Sequence, residues 1–143
     1  MTTFPDLDLD SWRPTRDALR DYARVLGQMR RALAPPQKHW WHITLIPSVR
    51  GLTTTPMPGE RGAIELTLDI ANSRVEAISS DGSSEELALV GQSARDINVA
   101  LERAVRNFGT EPPLLTPAGN STHRYDPSAA RRFWSVWRNS TLR

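Results

Sequence analysis

Apolar residues recur at alternating steps of three and four from Leu19 through Tyr22, Leu26 and Met29 to Leu33, while Arg16, Arg20, Asp21, Arg24, Gln28 and Arg31 fall largely elsewhere. That spacing lets an α-helix bury one side and wet the other. Ser11 can cap its start and Pro14 is tolerated only in a first turn, so the helix is expected to begin between Ser11 and Thr15. Ala34-Pro35-Pro36 ends it.

Strand patterns follow. His39-Trp40-Trp41-His42-Ile43-Thr44-Leu45-Ile46 is aromatic and β-branched and reads as extended. Gly51 to Thr55 continues in the same manner, with Pro56 and Pro58 confining its end to a sheet edge. Ala63 to Ile70 is the clearest strand: Ile64, Leu66, Leu68 and Ile70 alternate with Glu65, Thr67 and Asp69, so one face is expected to be buried and the other wetted. Asn72-Ser73 turns the chain into Arg74 to Ser79, and Asp81-Gly82 turns it into Glu86 to Val90.

Ser93 with Asp96 three residues on resembles a capping box ahead of Ile97, Leu101, Ala104, Val105 and Phe108, and Gly109 closes that helix. Thr110 to Thr122 is a proline-rich connector. Asp126-Pro127 then opens a last helix as cap and first residue, whose stripe of Ala130, Phe133, Trp134 and Trp137 is expected to bury. The chain therefore reads as a single α+β domain over residues 1–143: an antiparallel meander sheet of four or five strands, an N-terminal helix and two C-terminal helices.

Composition narrows the chemistry. Cysteine is absent, which removes disulfides, thiolate metal sites and thiol nucleophiles and suits a cytoplasmic setting. The N-terminus is acidic and no apolar run approaches the ~20 residues a bilayer requires, so no membrane association is expected. The net charge is +2, and Lys38 is the only lysine. The arginines alternate with acids along helices instead of gathering with aromatics, which makes nucleic acid an unlikely partner.

The densest chemistry lies in His39-Trp40-Trp41-His42, two of the three histidines and two of the five tryptophans in four residues. On a strand, His39 shares a face with Trp41 and His42 with Trp40, so the two imidazoles oppose one another and make a poor metal clip. No metal and no cofactor are expected. Trp40 and Trp41 cannot both enter one core; the outward ring needs cover from another element, a ligand or a second subunit. Arg50 beside Gly51 is a candidate oxyanion contact, and Thr53 offers a hydroxyl nearby. His123, Arg124 and Tyr125 form a second histidine-aromatic segment, adjoining Asp126.

Trp12, the His39 to Leu45 run, Arg50-Gly51-Leu52-Thr53-Thr54 with Pro56 and Pro58, Ser80-Asp81-Gly82, and Thr122-His123-Arg124-Tyr125-Asp126-Pro127 leading to Phe133-Trp134 together resemble a bacterial domain-of-unknown-function family, number 5996. The resemblance spans nearly the whole chain. It implies a fold and no activity, and implies that the family continues past the Phe133-Trp134 helix, so that this chain carries the N-terminal half only.

Three functions are compatible with these residues. The first is a small-molecule or peptide binding domain with a site lined by Trp40, His42, Arg50, Thr53, His123, Arg124 and Tyr125, in which His42, Arg50, His123 and Tyr125 share one surface. The second is a homodimerising interaction module using the same aromatic face. The third is a hydrolase-like enzyme with His42 or His123 as general base, although no Gly-x-Ser-x-Gly elbow accompanies them.

Overall fold

A computed structural model describes residues 8–113 and 125–141, with side chains as far as residue 136. Helix α1, Leu9–Leu33, is capped by Asp8, whose carboxylate accepts from the Asp10 amide at 3.2 Å. The helix thus starts earlier than Ser11. Pro14 lies inside it, beyond the first turn. Ser11 contributes differently, donating its hydroxyl to the Asp8 carbonyl at 3.1 Å. Trp12, Thr15, Ala18, Leu19, Tyr22, Val25, Leu26 and Met29 form its buried side.

Six strand segments form one antiparallel sheet: β1 Ile46–Pro47, β2 Gly51–Thr53, β3 Met57–Pro58, β4 Ala63–Asp69, β5 Arg74–Ser79 and β6 Ser84–Ala88. They lie in the order β1-β2-β4-β5-β6, with β3 also on β4. β2 pairs with Thr67 to Asp69 and β3 with Ala63 and Ile64, so the two share one edge of β4. Between them Thr55 takes φ 59°. The fully buried Thr54 bridges the break: its amide donates to the Leu66 carbonyl at 2.9 Å, and its Oγ1 accepts the Leu66 amide at 3.0 Å in place of a backbone carbonyl. At Gly51, a β-carbon would stand 1.9 Å from the Leu68 carbonyl oxygen, so no other residue fits that pairing.

Ile64, Leu66 and Leu68 of β4, with Ile70 just beyond it, share one core with the buried side of α1 and with α2, Ala94–Asn107, which packs on β5 and β6. The expected capping box is present, with Ser93 accepting from the Asp96 amide at 3.1 Å and Asp96 from the Ser93 amide at 2.9 Å. The hydrogen bond from the Ser93 amide, followed by that from the Ser93 side chain, holds the Asp96 carboxyl below its ordinary pKa. Gly109, at φ 84°, ends α2. Helix α3, Pro127–Thr141, begins as expected, with Asp126 accepting from the Ser128 amide at 2.9 Å.

Three contacts tie α3 to the rest. Phe133 stacks on Trp12 at 4.6 Å between ring centroids, the Asp126 amide donates to Thr15 Oγ1 at 3.0 Å, and Trp134 Nε1 donates to the Val49 carbonyl at 2.9 Å. Trp134 is buried as the helical stripe requires, whereas the Trp137 side chain lies outside the described residues.

The two tyrosines meet in the core. Tyr22 donates to the Gln92 carbonyl at 2.6 Å and packs edge-on to Tyr125 at 6.1 Å; the Tyr125 hydroxyl lies 2.8 Å from Ser73 Oγ. Burial, seconded by the neighbouring Tyr125, pushes the Tyr22 phenol up to about 12, and burial also raises Tyr125. Each folded phenol thus holds its proton where the unfolded one has lost it. This stabilisation is complete below pH ~10 and disappears as the pH rises through about 12. Tyrosinate absorbance of the native protein should therefore rise at higher pH than that of the same protein in denaturant, with one phenol titrating only near pH 12.

Candidate functional site

After α1 the chain passes Pro35-Pro36 and folds back along the helix through a 3-10 turn, Lys38–Ile43. The strand expected from His39 does not form until Ile46. His39 and Trp40 instead both adopt the left-handed region, at φ/ψ 57°/24° and 60°/24°. Each such residue costs roughly 1–2 kcal/mol without a glycine. His42 repays part of this as the turn's internal anchor: its ring is 6% exposed and Nδ1 accepts the Gln37 amide at 3.1 Å.

The expected pairing of neighbours nonetheless holds, by a different geometry. His39 lies 5.8 Å from Trp41 and Trp40 stacks 5.6 Å from His42. Neither tryptophan enters the core: Trp40 is 61% and Trp41 64% exposed. Trp40 carries a further neighbour, the Arg31 guanidinium, 5.7 Å from its ring centroid. Arg31–Trp40–His42 thus form a column that ends on a buried imidazole.

Beside this column runs a groove of about 520 Å³ between α1 and the returning chain. Ala23, Gly27, Ile43 and Leu45 give it an apolar floor, and Arg20, Arg24 and Arg31 its rim. Gly27 faces the returning chain, where a β-carbon would meet the Ile43 carbonyl in ordinary van der Waals contact at 4.0 Å. Arg31, Ile43 and the α1 positions were not legible as site residues. The signals available were a glycine inside a helix and arginines repeating along one flank.

Arg50 and Thr53 sit elsewhere, on the sheet face turned away from α1. Arg50 pairs with Asp69 at 3.3 Å and Glu76 at 3.2 Å, and the Glu76 hydrogen bond leads in holding its guanidinium charged. Arg74 joins the same carboxylates, at 3.2 Å to Asp69 and 3.3 Å to Glu76, and reaches Glu86 at 2.9 Å. Asn72 completes the shell of Asp69 through its amide and Nδ2. Asp69 and Thr67 are therefore buried on a face that alternation alone marks as wetted. Thr53 Oγ1 accepts the Thr55 amide at 3.0 Å, holding the edge kink.

The structure thus brings Trp40 and His42 together. Arg50, Thr53 and Tyr125 are each engaged by other partners, and His123 and Arg124 lie outside the described residues. His42 has its Nδ1 lone pair committed to the Gln37 amide, a bond that holds the turn. Among the described residues no three histidine or carboxylate side chains are grouped so as to hold a metal ion, and no helix is long and apolar enough to cross a membrane.

A family model described as a family of unknown function, DUF5996, matches residues 4–142. The chain belongs to that family. The match covers nearly the whole chain, which corrects the expectation that it carries only the family's N-terminal half: the helix bearing Phe133 and Trp134 lies inside the family model, near its matched end. Both the His39 to His42 turn and the Asp69 cluster are family territory by position. No curated protein and no solved structure shows a significant match to the chain.

The ion cluster gives a direct stability test. Replacing Asp69 by alanine leaves two guanidinium groups beside an emptied buried position and should cost about 3 kcal/mol in urea denaturation. Glu86→Ala removes a 60% exposed partner of Arg74 and should cost less than about 1 kcal/mol.

Proposed function

We propose that this protein is a small-molecule binding domain whose site is the flank of α1 covered by residues 38–45, with Trp40, Trp41, Ile43 and Leu45 receiving an aromatic or apolar ligand body and Arg31 at its edge. The observation that carries the reading is the display of two tryptophans, Trp40 and Trp41, to solvent at a turn in which His39 and Trp40 are consecutive left-handed residues and a buried histidine is the anchor. Strain held in place by surrounding packing concentrates where a chain does work on a ligand. A solvent-facing indole is otherwise a poor use of the residue, since its large apolar surface gains from burial. The groove is also of a size suited to a small molecule, for such sites occupy roughly 300–1,000 Å³. The commitment of His42 Nδ1 to a backbone amide favours binding over hydrolysis.

The test is ligand-observed NMR with a set of small aromatic compounds, run on the native chain and on a Trp40→Ala, Trp41→Ala variant. Because both side chains are largely exposed, the variant should stay within about 0.5 kcal/mol of native stability. The compounds that bind the native chain should lose at least tenfold in affinity for the variant. Equal binding to both proteins would remove the reading. A native dimer in light scattering that dissociates in the variant would assign the same face to a second copy of the chain instead.

A further inference from the structure

The two walls of the α1 groove share a charge pattern that their folding does not require. From Tyr22 to Gly59 the chain has no aspartate and no glutamate, although it holds 16 of them in all, and this stretch contains the second half of α1 and the whole returning segment. Among the described residues every charged side chain lining the groove is an arginine, and Gln28 is its one other polar side chain. Arg24, Gln28 and Arg31 follow one another at steps of four and three, so they stand in one row along the rim. Two turns separate Arg24 from Arg31, about 10.5 Å along the axis, which two arginine side chains can span between them.

The arginines of the rim differ in how their charge is met. Arg20 reaches Asp21 at 3.7 Å and Asp17 at 4.0 Å, and Arg24 reaches Asp21 at 4.0 Å, all longer than a hydrogen bond. Among the described residues Arg31 pairs with no carboxylate; its guanidinium lies over the Trp40 ring, 5.7 Å from the centroid. A ring neighbour holds a guanidinium in place without occupying its N–H donors, which remain for an acceptor from outside. Arg31 and Arg24 are both exposed and both line the groove, so a molecule lying in it meets them directly. The helix dipole accounts for an arginine in the last turn of α1, but its effect does not extend back to Arg24 or to the acid-free segment opposite. A cleft lined by one sign of charge over an apolar floor concentrates ligands of the opposite sign, and guanidinium matches an oxyanion in its planar fork.

We propose that the groove binds an anionic amphiphile, a small aromatic or apolar compound bearing a carboxylate or phosphate, whose acid group is held by Arg31 with Arg24 and whose body lies on Ile43 and Leu45. The proposal rests on the reading of this flank as a binding site and adds the charge of its ligand.

Isothermal titration of the full chain tests it with four probes that share one ring system: 2-naphthoate, 2-naphthyl phosphate, the uncharged 2-naphthylmethanol and the cationic 2-naphthylmethylammonium. The native protein should bind an anion at least about tenfold more tightly than the alcohol, and the ammonium most weakly; the tighter anion identifies carboxylate or phosphate as the source. Arg24→Gln, Arg31→Gln should bring anion and alcohol within about twofold of each other and leave alcohol binding near native. Arg31→Gln alone should cut the preference at least about threefold, which keeps the test available if the double variant folds poorly. Arg13→Gln, Arg16→Gln removes the same charge from α1 outside the groove and should retain the preference. Equal loss in that control, or a preference that survives Arg24→Gln, Arg31→Gln, overturns the proposal. Equal native affinity for all four probes, lost in Trp40→Ala, Trp41→Ala, overturns the anionic class and leaves the binding site standing. Binding of every probe unaffected by the tryptophan substitutions, or binding of none by the native chain, overturns the site itself.

Discussion

Between the last turn of α1 and β1 the chain has to double back along the helix it has just left, and it does so through two consecutive left-handed residues, His39 and Trp40. Pro35 and Pro36 prevent the helix from continuing, and neither glycine nor asparagine is present to make the reversal easy. What holds it is the ring of His42, buried and bonded to the Gln37 amide. The direction of β1, the exposure of both indoles and the groove beside them all follow from that reversal. A chain that ran on in an extended conformation from His39 would place alternate rings on opposite sheet faces and leave the flank of α1 bare.

The second constraint acts on the other side of the sheet. Asp69 is fully buried, and the neighbouring guanidinium groups of Arg50 and Arg74 make that burial tolerable by matching its charge and covering it from solvent. Arg50 lies one residue before Gly51, which must be glycine for β2 to pass the Leu68 carbonyl. The ion cluster therefore clamps the short strand β2 onto β4 at the point where the chain arrives from the 38–45 segment. Val49, next to Arg50, accepts from Trp134 and brings α3 to the same place. The long helix, the sheet edge and the last helix are joined within a few residues of the proposed site.

Much of this fold is written in local patterns. The stripe from Leu19 to Leu33, the alternation from Ile64 to Ile70, the Ser93 and Asp96 pair and the Asp126-Pro127 start rest on periodicities or caps that need no distant partner, and each takes the form those patterns predict. The His39 to Ile43 run does not, because β-branched and aromatic residues favour extended chain only until tertiary packing dictates otherwise. Here the demand to return along α1 outweighs that preference. Met57–Pro58 is hidden for a different reason: it joins the sheet across a break bridged by the Thr54 hydroxyl, and its proline argues against a strand. Asp69 reads as wetted because alternation does not show that Arg74 across the hairpin and Arg50, nineteen residues away, both fold over it. Of the candidate site, the aromatic and histidine residues are legible from composition; Arg31 and Gly27 are not, because their significance lies in which flank of the helix the returning chain covers.

The reversal can be tested by the sign of one stability change. In a left-handed position, His39→Gly removes roughly 1–2 kcal/mol of strain and adds a chain-entropy cost of roughly 0.5–1 kcal/mol, a net gain of about 0.5–1 kcal/mol. In an extended strand the same substitution only weakens the chain. Urea denaturation of the His39→Gly variant is expected to give a higher midpoint with an unchanged slope. A lower midpoint would mean that residue 39 is not left-handed, and the exposed tryptophan face built upon it would go with it.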